Sequence, residues 1–543
     1  MKKIYFILAT ASLLFSGCNK LLDELPDNQV EIQTAEDVRK LLVNAYSINN
    51  NAVLNEYSSD NIGDYGPSVY TWGLISGQLA YWQPVQEYFD NDGLYYNWES
   101  YYNAVNHANK ALEAIQELGG GSEFNAAKGE ALLARAYAHF ELANTFCLAY
   151  NPTTSSTDLG IPYMLHTEKE LSPKYPRGTV AQVYDLIDKD IQAGLPLIDD
   201  NYYETPKYHF NKRAANAFAA RFYLYYQQWQ KALNYANEVL TTNNATTLNL
   251  LRNWEDFRDT SKAGTVTQGS RALYYTNENI DANLLVLPVY SQIARKFYSR
   301  SYRYNHNTLI AGQETVEAPN VWDPEGKSGD YGYGYAFYWF EPIRDRNANT
   351  NIVLFDKFPT LREGTSYNKS IMVPFTTDET LLVRAEAKIH LKQYASAVED
   401  LNMWTSKFIQ QTTITVNGQT YSSRNTATQQ QIIDFYKDAN MRYSTANAPT
   451  QKKKLHPSFT IENDGIQENL LHYLLQCRRV LTLGDGLRWQ DVKRYGIEVV
   501  RYRCDLSDRD RNYPAATLPV NDPRRAIQLP DVAIRSGMQP NPR

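Results

Sequence analysis

The chain has 543 residues, 54 basic against 60 acidic side chains and a formal charge of -6, with no basic tract beyond Lys452-Lys453-Lys454, so it is a poor partner for nucleic acid or anionic lipid. Besides Cys18 the cysteines are Cys147, Cys477 and Cys504, an odd set from which neither a disulfide framework nor a cysteine-based metal site follows. No Gly/Ser-rich or Pro-rich linker divides the length, which is read as one large helical domain with long insertions.

In chain order, residues 1–17 carry Lys2-Lys3, the apolar run Ile4 to Phe15 and then Ser16-Gly17, an export signal too short to be a membrane span. Phe15-Ser16-Gly17-Cys18 resembles a bacterial lipobox, with Phe15 where leucine is commoner, so Cys18 is the expected lipidation site. Cleavage before it removes two lysines and no acids, which takes the formal charge to -8. Several acyl chains at Cys18 anchor far more firmly than one. Residues 18–34 read as a polar tether, and the domain as 35–543.

A helix is expected near Ala35 to Asn49. Tyr65 to Trp98 then leaves helical periodicity and gathers Tyr65, Tyr70, Trp72, Tyr81, Trp82, Tyr88, Phe89, Tyr95, Tyr96 and Trp98, a long loop of the kind that carries function. Helices follow at Trp98–Leu118 and Asn125–Phe146, separated by Gly119-Gly120-Gly121. The organising stretch is Phe210 to Leu240. Its first half places Ala214, Ala217, Phe218, Phe222 and Tyr225 on one face, and the pattern restarts at Trp229 with Ala232, Leu233, Ala236, Val239 and Leu240. Ala220 and Ala232 permit close helix contact, with Trp229 expected to fill the wedge at the turn. Around Tyr394 the same offsets recur, Ala385 nine residues before and Ala397 three after. These paired hairpins, near 98–146, 210–240 and 381–408, are tetratricopeptide-repeat-like (TPR-like), a unit that buries its face only by stacking on neighbours. The fold class expected is all-α, TPR-like hairpins stacked in one domain with aromatic-rich loop insertions.

Little in the sequence points to bond-breaking chemistry. None of the eight histidines forms His-Glu-x-x-His, and neither Gly-x-Ser-x-Gly nor a phosphate loop occurs. Asp508-Arg509-Asp510-Arg511-Asn512 starts like a calcium loop but lacks the glycine and the twelfth-position glutamate. No cofactor, metal or catalytic residue is expected, and the chain is read as no enzyme.

The informative excess is aromatic. The chain has 42 Tyr against 19 Phe, the reverse of what rings that only fill a core require, because Tyr suits half-exposed surfaces. A second cluster runs from Phe297 and Tyr298 to Trp339, with GDYGYGYAFYW at its centre. Flat rings stack on the apolar face of a pyranose while polar side chains satisfy its hydroxyls. The stacking candidates are Trp72, Tyr81, Trp82, Tyr298, Tyr302, Trp322, Tyr335 and Trp339, expected where the two aromatic loops meet on one face of the helical stack.

The order of segments carries a resemblance. The Asn125–Phe146 helix, Gly160-Ile161-Pro162-Tyr163, TVAQVYDLIDKDIQAGLPLI, the 210–240 hairpin, Ala385-Glu386-Ala387, GLRWQDVKRYG at 486–496 and the ending AIQLPDVAIRSGMQPNPR are similar to the SusD/RagB family of surface nutrient-binding lipoproteins. That resemblance implies a lipid-anchored protein on the outer membrane, facing outward, that captures an oligosaccharide or polysaccharide, such as starch, and hands it to a TonB-dependent transporter of the SusC kind. A peptide-binding importer subunit of the RagB kind is the alternative within that architecture, and a surface glycoside hydrolase the alternative outside it. Arg478-Arg479-Val480-Leu481-Thr482-Leu483-Gly484-Asp485 departs from the family's usual Glu-Arg and glutamate, and Asp485 is the carboxylate expected to turn towards Arg488. Arg488, Trp489, Asp491 and Glu386 themselves read as a buried structural knot.

Overall fold

Small residues set how closely the helices approach one another. The computed structural model describes residues 32–86, 90–168, 174–257, 268–298, 302–326, 342–344, 351–353, 357–505 and 508–543. Through its first part run α1 (Ala35–Leu42), α2 (Ala52–Ser58), α3 (Gly73–Ala80), α4 (Leu94–Glu117), α5 (Asn125–Phe146) and α6 (Val180–Gly194). In α5 only Asn125 and Lys128 escape burial, because its alanines let α1, α4 and α6 close in together. Ala127, Ala131 and Ala134 of α5 meet Ala108 and Ala111 of α4 beside Val38 and Leu42 of α1. At Gly129 the approach to α6 is so close that a Cβ would lie 2.8 Å from the Gly194 carbonyl oxygen.

The Phe210–Leu240 stretch forms α7 (Lys212–Tyr225), N-capped by Asn211, and α8 (Trp229–Leu240). Farther on lie α9 (Ile293–Tyr298), α10 (Thr377–His390), α11 (Tyr394–Phe408), α12 (Ile466–Leu481) and α13 (Leu487–Arg494). The α7–α8 and α10–α11 hairpins share one turn. Gln227 and Lys392, each two residues before the second helix, take φ of 61° and 60°. Gln228 N–H then donates to the Tyr223 carbonyl and Gln393 N–H to the Lys388 carbonyl, closing the helix ends in the same way. Hairpin α10–α11 packs against α8 and α7. Trp229 acts across that joint and not inside its own turn, stacking on His390 at 4.0 Å and meeting Phe459 edge-on at 5.2 Å.

The all-α expectation is corrected by several small sheets. Strands β1 (Gly63–Asp64), β2 (Asn283–Tyr290), β3 (Tyr304–Asn305), β4 (Ser366–Thr376), β5 (Thr413–Val416), β6 (Gln419–Ser422), β7 (Val499–Asp505) and β8 (Asp508–Leu518) are the principal ones. One sheet runs β8-β7-β1-β3, with β1 parallel to β7 and antiparallel to β3; another pairs β2 with β4. β5 and β6 form a hairpin around Asn417-Gly418, both at positive φ, the turn that Asn-Gly favours. The region read as a loop from Tyr65 to Trp98 also contains α3 and the first turn of α4.

The C-terminal motif is an internal ionic lattice. Arg478 of α12 binds Asp491 of α13 at 3.0 Å, and Arg494 bridges Asp491 at 3.0 Å to Glu386 of α10 at 2.8 Å. Glu379 of α10 takes Arg221 of α7 at 3.2 Å and Arg478 at 3.4 Å, so one helix from each of the two hairpins is tied to the motif. Burial works to raise the Asp491 carboxyl, but Arg478 and Arg494 outweigh it and hold the group below the usual carboxylate range. Asp485 is not the partner of Arg488. It takes Lys357 at 2.9 Å, while Arg488 takes Asp60 at 2.8 Å from the residues that follow α2.

Candidate aromatic binding site

The segment after β1 runs beside the segment before β3. Tyr65 N–H donates to the Arg303 carbonyl at 2.9 Å, Arg303 N–H donates to the Tyr70 carbonyl at 2.8 Å, and Tyr70 bridges Tyr302. This pairing places three rings together. Tyr70 lies 5.6 Å from Tyr302 at 43°, and Trp72 lies 5.0 Å from Tyr302 edge-on at 87°. Tyr70 is 67 % exposed, and Trp72 and Tyr302 are half-buried, so the rings form an open shelf and not an internal pocket. The Arg295 guanidinium of α9 sits 5.0 Å over the Trp72 ring.

Beneath the shelf Asp64 gathers the strands. It accepts from Arg303 Nε at 2.6 Å, from the Tyr81 hydroxyl at 2.5 Å and from Gly66 N–H at 2.7 Å, with Arg503 of β7 at 3.2 Å. Burial pushes its carboxyl up, yet these donors, Arg303 first, bring it below the ordinary range. Burial and the bond to Asp64 push the Tyr81 phenol up to about 12.

The shelf joins Trp72 and Tyr302 from the two aromatic loops. Tyr81 stands behind it, holding Asp64. Trp82 and Trp322, expected as stacking platforms, are core residues. Trp82 is 4 % exposed and its indole N–H donates to the Ser58 carbonyl at 2.9 Å; Trp322 is 1 % exposed, set against Trp404 and Tyr473. Neither offers a face to a ligand. The side chain of Tyr298, and Tyr335, Trp339 and Cys18 altogether, lie outside the described residues. Sequence reasoning passed over Tyr70 and Arg295 as site residues. Tyr70 sat in the aromatic run with nothing to rank it above its neighbours, and Arg295 becomes visible only when α9 is placed over Trp72.

Other hollows compare unfavourably. A partly open chamber of about 70 Å³, lined by Tyr101, Tyr137, Tyr225 and Tyr275 with Glu141 and Arg221, has room for a few waters and not for a sugar ring. A polar groove of about 420 Å³ has Tyr150 as its one ring besides His456, and its Lys493 amine is engaged by the Asn144 and Cys147 carbonyls that end α5. A cleft of about 230 Å³ lined by Trp98, Tyr102, Met164, Tyr175 and Met538 is another place where rings border a hollow. Among the described residues no group of His, Cys, Asp or Glu could hold a metal ion, and no helix is long and apolar enough to cross a membrane.

Residues 20–224 match the SusD-like family model described as starch-binding and associating with the outer membrane. A SusD-like protein, P38, from Formosa agariphila is 20 % identical over 431 residues, covering 74 % of this chain and 80 % of that one. Among solved structures, a SusD superfamily protein from Bacteroides thetaiotaomicron is 17 % identical with a TM-score of 0.63, covering 94 % of this chain and all of that one. One described as a putative sugar binding protein, from Bacteroides vulgatus, is 17 % identical with a TM-score of 0.60, covering 95 % and 99 %. At such identities the structural likeness speaks for the fold, and the C-terminal motif lies outside the stretch that the family model matches. The match over residues 20–224 makes that part of the chain similar to the SusD-like family, and the fold of SusD superfamily structures is shared along nearly the whole length.

Proposed function

We propose that the protein is a lipid-anchored glycan-binding protein of the outer membrane, exposed at the cell surface, that captures an oligosaccharide on the Tyr70–Trp72–Tyr302 shelf and hands it to a SusC-like TonB-dependent transporter. The observation that carries this reading is the shelf: three rings, one of them 67 % exposed, brought together by two chain segments more than 200 residues apart on a SusD fold. A ring pair open to solvent has no packing reason to stay open, and it is the surface on which the C–H face of a pyranose stacks. Edge-on contact between Trp72 and Tyr302 holds the two ring planes at a large angle, which suits a curved or branched chain better than a flat ribbon.

Binding without cleavage fits the same surroundings. Asp64, the carboxylate beneath the shelf, is fully buried and committed to Arg303, Arg503 and Tyr81, so it is not a free acid or base for hydrolysis. The lipid at Cys18 would supply the anchor. Affinity electrophoresis of the mature chain through gels cast with individual polysaccharides tests the proposal, with a reducing-end assay on the same polymers. Retardation by at least one polysaccharide with no release of reducing ends is expected. No retardation in any gel, or reducing ends that vanish on substitution of one carboxylate, would overturn it.

A further inference from the structure

The shelf is basic on a chain that is acidic. We infer that it takes an anionic saccharide, one whose carboxylate or sulfate ester group is read by Arg295 with Arg303 and Arg503 beside it. The inference rests on the shelf being the glycan site, and it names the class of glycan.

Among the described residues three guanidinium groups belong to this surface. Arg295 is exposed, lies over Trp72 at 5.0 Å and has no carboxylate partner among the described residues. Arg303 and Arg503 both turn to Asp64, so one carboxylate serves two cations. Their side chains keep 17 % and 29 % exposure while that of Asp64 has none, so solvent meets the cations and not the acid. Among the described residues the other acids near α9 are Asp90 and Asp92. Both side chains are at most 9 % exposed and close on Lys296, with Ser291 and the Gln292 N–H completing Asp92. What an approaching ligand finds beside the rings is therefore positive charge, on a molecule whose formal charge is -6.

The chemistry favours an oxyanion over a hydroxyl. A guanidinium offers paired N–H groups at the spacing of a carboxylate or sulfate, and bonds to an ionised acceptor are roughly twice as strong as neutral ones. Held against an indole, Arg295 loses less side-chain freedom on binding than a free arginine would, and its charge is not already neutralised by an acid. Random attraction of polyanions is opposed by the chain's net negative charge, so binding of an acidic polymer would depend on this local patch.

Paired probes test this. The mature chain is titrated by calorimetry with polygalacturonate against its methyl-esterified form and with dextran sulfate against dextran, at about 50 and about 500 mM salt, bracketing strong and weak screening. The expected result is that one anionic probe binds at least about tenfold more tightly than its neutral counterpart. That advantage should shrink at high salt and in Arg295→Gln, with an unchanged melting temperature. Preference for polygalacturonate assigns a uronate; preference for dextran sulfate assigns a sulfate ester. Equal affinity for charged and neutral members of both pairs, or an Arg295→Gln variant that binds like wild type, overturns the inference. If Trp72→Ala still abolishes binding of a neutral glycan in that case, the shelf reading stands without its charge preference. If Trp72→Ala changes nothing, both fall.

Discussion

Glu56 shows how a single buried side chain makes the fold pH-dependent. It is 2 % exposed, accepts from Asn61 and from Gly484 N–H through one oxygen, and has no cation within ion-pair distance among the described residues. Burial, with those bonds opposing it, pushes its carboxyl up to about 7. Below the ordinary carboxylate range both folded and unfolded chains are protonated there. Between about pH 4.5 and 7 the folded chain retains a proton that the unfolded chain has released, so stability falls as pH rises through that window, by up to about 3 kcal/mol. Glu56→Gln should flatten this slope and be the more stable protein at pH 8, as urea titrations at pH 5 and pH 8 would show. An unchanged slope would mean that Glu56 is ionised in the fold. The tryptophans separate in the same manner. Trp82→Ala and Trp322→Ala should each lower stability by about 3 to 5 kcal/mol, the usual loss for a deleted core indole, with denaturation midpoints as the measure. Sequence could not separate these rings from Trp72, because all three sit in stretches without helical period. Their fates were decided by distant partners, Ser58 for Trp82 and Trp404 with Tyr473 for Trp322. Asp485 was misjudged for a similar reason, since adjacency in sequence to Arg488 said nothing of Lys357 or Asp60.

At the scale of elements, local pattern was legible wherever the period was long and the caps were present. The helices read from Phe210 to Leu240 stand at Lys212–Tyr225 and Trp229–Leu240, with Asn211 as the cap and Gln227 taking the turn. Ala220 in the first helix of one hairpin and Ala397 in the second helix of the other are fully buried, so Ala220→Leu or Ala397→Leu should cost about 1 to 3 kcal/mol by overpacking. Unchanged melting for both would remove the close helix contact from the account. Short elements escaped notice. α3, GLISGQLA, has two glycines in eight residues and so too weak a propensity to stand out. The β5–β6 hairpin was readable in TITVNGQTYS, where alternation flanks Asn-Gly, yet the helical reading of the surroundings masked it. Strands β1 and β3 have two residues each, pair with one another and join a sheet only through β7, which reaches β1 from the far end of the chain.

Over the whole molecule, charged contacts between remote segments hold the two ends to each other and the C-terminal end to the middle. Arg488 and Arg479 of the C-terminal part clasp Asp60, and Arg478, Arg494, Glu386 and Asp491 form a shared interior lattice. Removing one member leaves its partners buried and uncompensated, so Asp491→Ala should cost about 3 to 5 kcal/mol. At the other end, Cys18→Ala should leave melting unchanged and release the protein from the membrane fraction; retention in cells lacking the transporter would mean that another anchor exists. The order of motifs along the chain made the family resemblance legible, whereas the shelf needed three dimensions, because Tyr70 and Tyr302 meet only through the backbone pairing that follows β1. The most direct test of the account is the affinity of Trp72→Ala, Tyr302→Ala and Trp98→Ala for a polysaccharide that the wild type binds, measured by calorimetry beside melting temperature. The account expects Trp72→Ala and Tyr302→Ala each to weaken binding several-fold, about 1 kcal/mol per lost stacking ring, with melting nearly unchanged and Trp98→Ala binding as wild type. Full affinity in both shelf variants together with loss in Trp98→Ala would place the glycan in the Trp98–Tyr175 cleft and contradict it.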